Sequence, residues 1–230
     1  MKAGFFKNTK NMVKGFDISH FNNINWSAMP VGEQFAFIKA AQGVSFHDPA
    51  FQYNWHAARA KGMIVGTYDF WVANTDPKAQ ADNFLNRGVD WSLPGVLPPV
   101  IDIENQVGAT PVMSAQMDKY ILNNKNQCRD NALQLLEIVA ARSGKTPIVY
   151  CSPNFLNEYL GDSVSFSKYG LWIAGYQDHV PHLPAGFTNW LFWQYSQYGQ
   201  LNGQAAGGSL DLDYFNGTYQ QLQALANAAS

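Results

Sequence analysis

Short apolar runs alternate with helix-opening dipeptides along the first two thirds of this chain. Residues 35–40 precede Asp48-Pro49, residues 63–70 precede Asp76-Pro77, and residues 147–150 precede Ser152-Pro153. Each dipeptide supplies a side-chain oxygen for the first free N–H groups of a helix and a Pro whose fixed φ suits its first turn. Helices are therefore expected from 48 to 61 with Gly62 as stop, from 76 to 88, and from 112 to 142 with an interruption around 123–127. Strands are expected at 15–19, 35–40, 63–70, 100–104 and 147–150. The last third holds Gly- and Pro-bearing loops between the runs 171–176, 191–195 and 210–215. Strands alternating with helices predict a mainly parallel sheet, and eight strands suggest that it closes into an α/β barrel.

The fourth run, Val100-Ile101-Asp102-Ile103-Glu104, breaks the apolar pattern with two carboxylates. Alternate residues of a strand share a face, which sets Asp102 and Glu104 about 6.5–7 Å apart along one wall. Paired carboxylates on one wall are what glycoside hydrolysis needs, since mutual repulsion lets one hold a proton near neutral pH. Capping a following helix, or pairing with a surface Lys, explains this short run equally well on its own. In a barrel, however, Asp17, Lys39, Asp69 and Asp211 also fall within or near strand ends. Converging acids from separate strands favour an acid-lined catalytic cleft.

The 230 residues carry a formal net charge of -2, which gives no basic footprint for nucleic acid. No run reaches the length of a membrane span, and the polar Met1 to Lys14 stretch lacks the apolar centre of a signal peptide. Cys128 and Cys151 lack metal-ligand spacing; equal heights on the barrel rim permit a disulfide, and two unrelated thiols fit as well. The expected organisation is an extension over 1–14, one catalytic barrel over 15–222 and a tail over 223–230.

The ordered motifs resemble the Chalaropsis-type lysozymes, glycoside hydrolase family 25. Gly15-Phe16-Asp17-Ile18-Ser19 with Trp26, Phe37-Ile38-Lys39-Ala40, Gly66-Thr67-Tyr68-Asp69-Phe70, Asp102-Ile103-Glu104, Trp172-Ile173-Ala174 with Tyr176, Trp190 to Tyr195 and Asp211-Leu212-Asp213 carry the likeness. The resemblance implies an irregular TIM-like barrel of five βα units followed by three strands. It implies cleavage of the β-1,4 bond between N-acetylmuramic acid and N-acetylglucosamine in peptidoglycan, with Glu104 as general acid and Asp102 assisting the substrate acetamide. Asp17 and Asp211 complete the expected catalytic set. Lys39, Tyr68, Asp69, Phe70, Trp172, Tyr176 and Trp193 are the expected sugar-binding residues. No cofactor, metal, nucleic acid or membrane partner is expected, and the chain is expected to be monomeric. Its expected place of action is the cell wall, and the sequence does not choose among delivery by phage lysis, an injection system or a trimmed signal. Three positions depart from the common pattern: Ala41-Gln42-Gly43 replaces Thr-Glu-Gly, Tyr68-Asp69-Phe70 replaces Tyr-His-Phe, and Asp213 stands where Asn is usual. A binding module that has lost turnover, and a hydrolase of another N-acetylated polymer such as chitin, are the alternatives.

Overall fold

The computed structural model describes residues 12–29, 35–200 and 209–228. The first strand, β1 (Val13–Ile18), leads into a 3-10 turn at Trp26–Ala28, whose first N–H groups are taken by the Asn25 side chain. Next come β2 (Phe35–Gln42), the short β3 (Phe46–His47), α1 (Phe51–Ala60), β4 (Ile64–Phe70) and α2 (Pro77–Leu85). Then follow β5 (Val100–Asp102), α3 (Pro111–Asn123), α4 (Lys125–Ser143), β6 (Ile148–Cys151) and α5 (Phe155–Leu160). The chain ends with β7 (Gly170–Ala174), β8 (Phe192–Gly199), β9 (Leu210–Phe215) and α6 (Tyr219–Asn227).

The sheet runs β1-β9-β8-β7-β6-β5-β4-β2-β3, and pairing of β1 with β2 closes it. β3 hangs from β2 as a hairpin, so eight strands make the barrel wall. All wall pairings are parallel except those of β9, which runs antiparallel to both β8 and β1.

This corrects the expected five βα units. Among the described residues only a 3-10 turn separates β1 from β2, so the first unit has no helix. Helices follow β2 with its hairpin, β4, β5 and β6, and the architecture is a closed eight-stranded β-barrel with surrounding helices. The capping reading also needs adjustment. Asp76 caps α2 as expected, accepting from Ala79 N at 2.7 Å. Asp48 instead holds the turn before α1, and Ser152-Pro153 lies ahead of α5, whose N-cap is Asn154. Thr110-Pro111 is a second cap-plus-Pro pair, starting α3 just before the expected 112. The break near 123–127 is a junction at Asn124, and α6 begins earlier than the tail expected at its end.

Strand parity separates two cores. Phe16, Ile18, Ile38, Val65, Ile101, Val149 and Ile173 point outward, packing against Trp55, Phe84, Leu135 and Leu136 of the helices. Phe35, Phe37, Ile64, Val100, Ile148, Trp172, Phe192 and Phe215 fill the barrel interior. Aromatic size is accommodated by missing side chains: a Cβ on Gly15 would stand 2.5 Å from the Phe35 ring, and one on Gly66 2.4 Å from that of Phe37. Phe37 stacks on Trp172 with centroids 4.3 Å apart, so the lower barrel is a solid floor. Polar side chains collect above it.

Candidate active site

Each site carboxyl owes its place to strand parity and direction. Asp17 follows Val13 and Gly15 on the inner face of β1, opposite Asp211 of β9 in the ladder. Because β9 runs backward, its beginning lies at the rim where the parallel strands end, which is how Asp211 reaches the same mouth. Asp102 closes β5 between Phe70 of β4 and Tyr150 of β6. The expected strand reached Glu104, whereas β5 stops at Asp102; one more ladder bond, Ile103 N to Tyr150 O at 2.9 Å, carries Glu104 to the mouth. Gln106, buried, pins the turn after it by donating to Trp71 O and Glu104 O and accepting from Ala73 N.

These groups line a cleft of about 680 Å³ with Lys39, Tyr68, Phe70, Tyr150, Trp172, Tyr176 and Gln194, and with Ser19, His20, Phe21, Gln42 and Phe46 on one lip. Gln194 is the hub. It donates Nε2–H to Asp17 Oδ2 at 2.7 Å and accepts the hydroxyls of Tyr150 at 2.7 Å and Tyr176 at 2.9 Å on Oε1. Trp172 donates Nε1–H to Asp213 Oδ1 at 2.8 Å, and the Asp213 carboxyl also meets that of Asp17. Among the described residues lining the cleft, Lys39 is the only lysine or arginine; it donates to Gln42 Oε1 at 2.9 Å and lies 4.8 Å from the Phe70 ring centroid. On the lip, Asp48 Oδ2 binds His20 through both its backbone N–H at 3.0 Å and Nδ1 at 2.8 Å.

Acids outnumber cations here, and burial raises Asp17, Asp102, Glu104 and Asp211 alike. Burial, then Asp211, pushes Asp17 well above the ordinary carboxylate range, against donors from Gln194 and Asp213. Asp102 is raised by burial and then by the Glu104 charge, with Lys39 opposing. Burial lifts Glu104 to about 7 despite the Lys39 ammonium, and lifts Asp211 to about 6. The cluster therefore shares protons near neutrality instead of ionising completely, and its titration steps belong to the group. Burial also lowers Lys39 while Asp102 and Asp48 hold it up.

Asp17, Lys39, Tyr68, Phe70, Asp102, Glu104, Trp172, Tyr176 and Asp211 thus converge as expected from the sequence. Asp69 and Trp193 do not line the cleft. Both sit on outward-facing strand positions: Asp69 is fully buried with neither oxygen meeting a donor, and Trp193 packs under Trp190, Tyr195 and Tyr214 and donates to Gly175 O. Parity already separated Asp69 from Tyr68 and Phe70, and Trp193 from Gln194. Gln194 and Tyr150 were missed because each is an unremarkable strand residue until register sets it beside an acid. Cys128 and Cys151 are both free and fully buried in the helix-facing core, so the disulfide alternative falls. Among the described residues no group of three or more His, Cys, Asp or Glu could hold a metal ion.

A closed barrel whose mouth gathers four carboxyls of raised proton affinity among aromatic rings has the acid-lined cleft that glycoside hydrolysis uses. Residues 16–204 match the model of the Glycosyl hydrolases family 25, and the chain belongs to that family. It is 35% identical over 223 residues to Lysozyme M1 of Streptomyces globisporus, covering 94% of this chain and 71% of that protein. It is 31% identical over 228 residues to the N,O-diacetylmuramidase of Chalaropsis sp., covering 93% and 99%. The fold matches that of the bacterial lysozyme from Streptomyces coelicolor with a TM-score of 0.83 at 32% identity, over 96% of this chain and 99% of that one.

Proposed function

We propose that the chain is an N-acetylmuramidase, hydrolysing the β-1,4 bond between N-acetylmuramic acid and N-acetylglucosamine in peptidoglycan. The observation that carries this reading is Glu104, half-buried at the cleft with its proton affinity lifted to about 7 beside Asp102. A carboxyl so tuned holds a proton at neutral pH and can still release it. The names of the relatives, a lysozyme and an N,O-diacetylmuramidase, support the substrate.

Glu104 gives its proton to the glycosidic oxygen as the C1–O bond breaks. The 2-acetamido oxygen of muramic acid bonds C1, forming a cyclic oxazolinium. Asp102, which lines the cleft, is the acceptor for the acetamide N–H. Glu104, now ionised, takes a proton from water, whose oxygen bonds C1 and reopens the ring. Asp17 and Asp211 supply negative potential around the developing cation, and Lys39 keeps the acid cluster from excessive repulsion. Tyr68, Phe70 and Tyr176 wall the sugar site, with the Trp172 ring, only 2% exposed, as its floor. The chain acts as one barrel on the cell wall.

Mass spectrometry of reduced muropeptides tests the reading. Wild type is expected to leave N-acetylmuramic acid at the new reducing end, and Glu104→Gln to lower turnover by about 10²–10⁴. Reducing N-acetylglucosamine ends, or activity retained on chitin alone, would exclude the bond specificity.

A further inference from the structure

We infer that Asp213 is a positioning residue that works as a neutral carboxylic acid, its O–H donating to Asp17 and holding Asp17 as an anion toward the cleft. Its consequence for turnover rests on the proposed function; its protonation state does not.

Asp213 lies on β9 opposite Gly15 of β1 and Gln194 of β8, its side chain in the barrel interior and fully buried. Oδ1 accepts the Trp172 indole N–H, whereas Oδ2 meets no N–H or hydroxyl donor. The Asp17 carboxyl stands within hydrogen-bonding reach of the Asp213 carboxyl. Among the described residues no cation faces Asp213: Lys14 of β1 is exposed on the outer side of the wall, Asp17 on β1 and Asp211 on β9 are the charged groups acting on it, and β7 and β8 present the neutral Trp172 and Gln194. Two ionised carboxylates in contact without a cation are strongly disfavoured, and a single shared proton turns the contact into a strong hydrogen bond.

Burial decides which oxygen carries that proton. Asp17 borders the cleft and already receives the Gln194 amide, so its charge meets a fixed donor and solvent from the mouth. Asp213 is sealed beneath it, where an ion costs more. A carboxylic acid placed this way has the hydrogen-bonding pattern of an amide: one oxygen accepts from Trp172 and the other end donates to Asp17. Asn at 213 would reproduce both bonds without a titratable proton.

Three measurements on the full chain test this. In turnover assays D213A should lose activity, by about 10² if Asp17 is displaced by an ångström, and D213N should restore most of it. In thermal melts the advantage of D213N over wild type should grow as pH rises from about 4, the ordinary aspartate value, because wild type pays increasingly for keeping the buried acid protonated. In ¹³C-carboxyl NMR, Asp213 should stay protonated while exposed aspartates ionise. Folded D213N as inactive as D213A, a melting difference that does not change with pH, or ionisation of Asp213 alongside exposed aspartates would each overturn the inference. If wild type releases no wall fragments, the proposed function fails, while the melts and the NMR titration still decide Asp213.

Discussion

Gln194 donates its side-chain N–H to Asp17 across a separation of 177 residues in sequence, at 2.7 Å, in the buried throat of the barrel. This bond stabilises the anionic form of Asp17, and the hydroxyls of Tyr150 and Tyr176 fix the amide that makes it. Gln194→Ala removes the donor and orphans both hydroxyls. The expected result is a loss of about 1–3 kcal/mol in stability together with a rise in the Asp17 proton affinity. The acidic limb of the activity profile then moves to higher pH; a limb that stays in place would mean that Asp17 need not be ionised.

Glu104 sets the alkaline side. Its folded pKa, about 7, lies above that of an unfolded glutamate, so the stability associated with its proton is complete below the unfolded value and is lost as pH rises through 7. Activity as general acid should fall across the same window. Glu104→Gln should be more stable than wild type above pH 7, by on the order of 2–3 kcal/mol after allowance for solvent screening. Lys39→Met removes the cation that holds Glu104 down and should shift the alkaline limb upward. Chemical denaturation and initial rates across pH check both signs.

Asp69 offers a control outside the cleft. Burial raises its proton affinity far above normal, opposed only by Lys39, and neither oxygen has a donor. Its stability contribution is therefore present at acid pH and lost as pH rises. Asp69→Asn should raise stability at neutral pH, by about 1–3 kcal/mol at most, with KM for wall fragments essentially unchanged. A large rise in KM would return Asp69 to the substrate site.

The thiols give a direct chemical readout. Both are fully buried, and burial pushes each thiol up, Cys151 most strongly. Native protein should resist alkylation at both positions, and denatured, unreduced protein should take up two labels. Labelling that appears only after reduction would contradict the free-thiol structure.

Local chemistry made much of this protein legible from sequence. The β-branched run ending in Asp102 and the parity of Tyr68 with Phe70 follow from the two-residue strand period, and the Asp76-Pro77 cap from hydrogen bonding within one turn. The same parity, applied to Asp69 and Trp193, would have turned both away from the cleft had the inward face of each strand been known. The five βα units implied by the family resemblance fail at β1, where Asn25 caps a single 3-10 turn at Trp26–Ala28 and whether such a turn grows into a helix depends on packing.

Tertiary structure alone decided the rest. The reversed direction of β9 brings Asp211 to the mouth and Asp213 beneath Asp17, and the register of β6 and β8 sets Tyr150 and Gln194 beside the acids. No local period encodes these distances, since they arise only when strands far apart in sequence close one barrel. Proton affinity is decided at the same moment: an aspartate in an open chain is ionised at neutral pH wherever it stands, and only the closed, nearly cation-free interior makes Asp17, Asp102, Glu104 and Asp213 compete for protons.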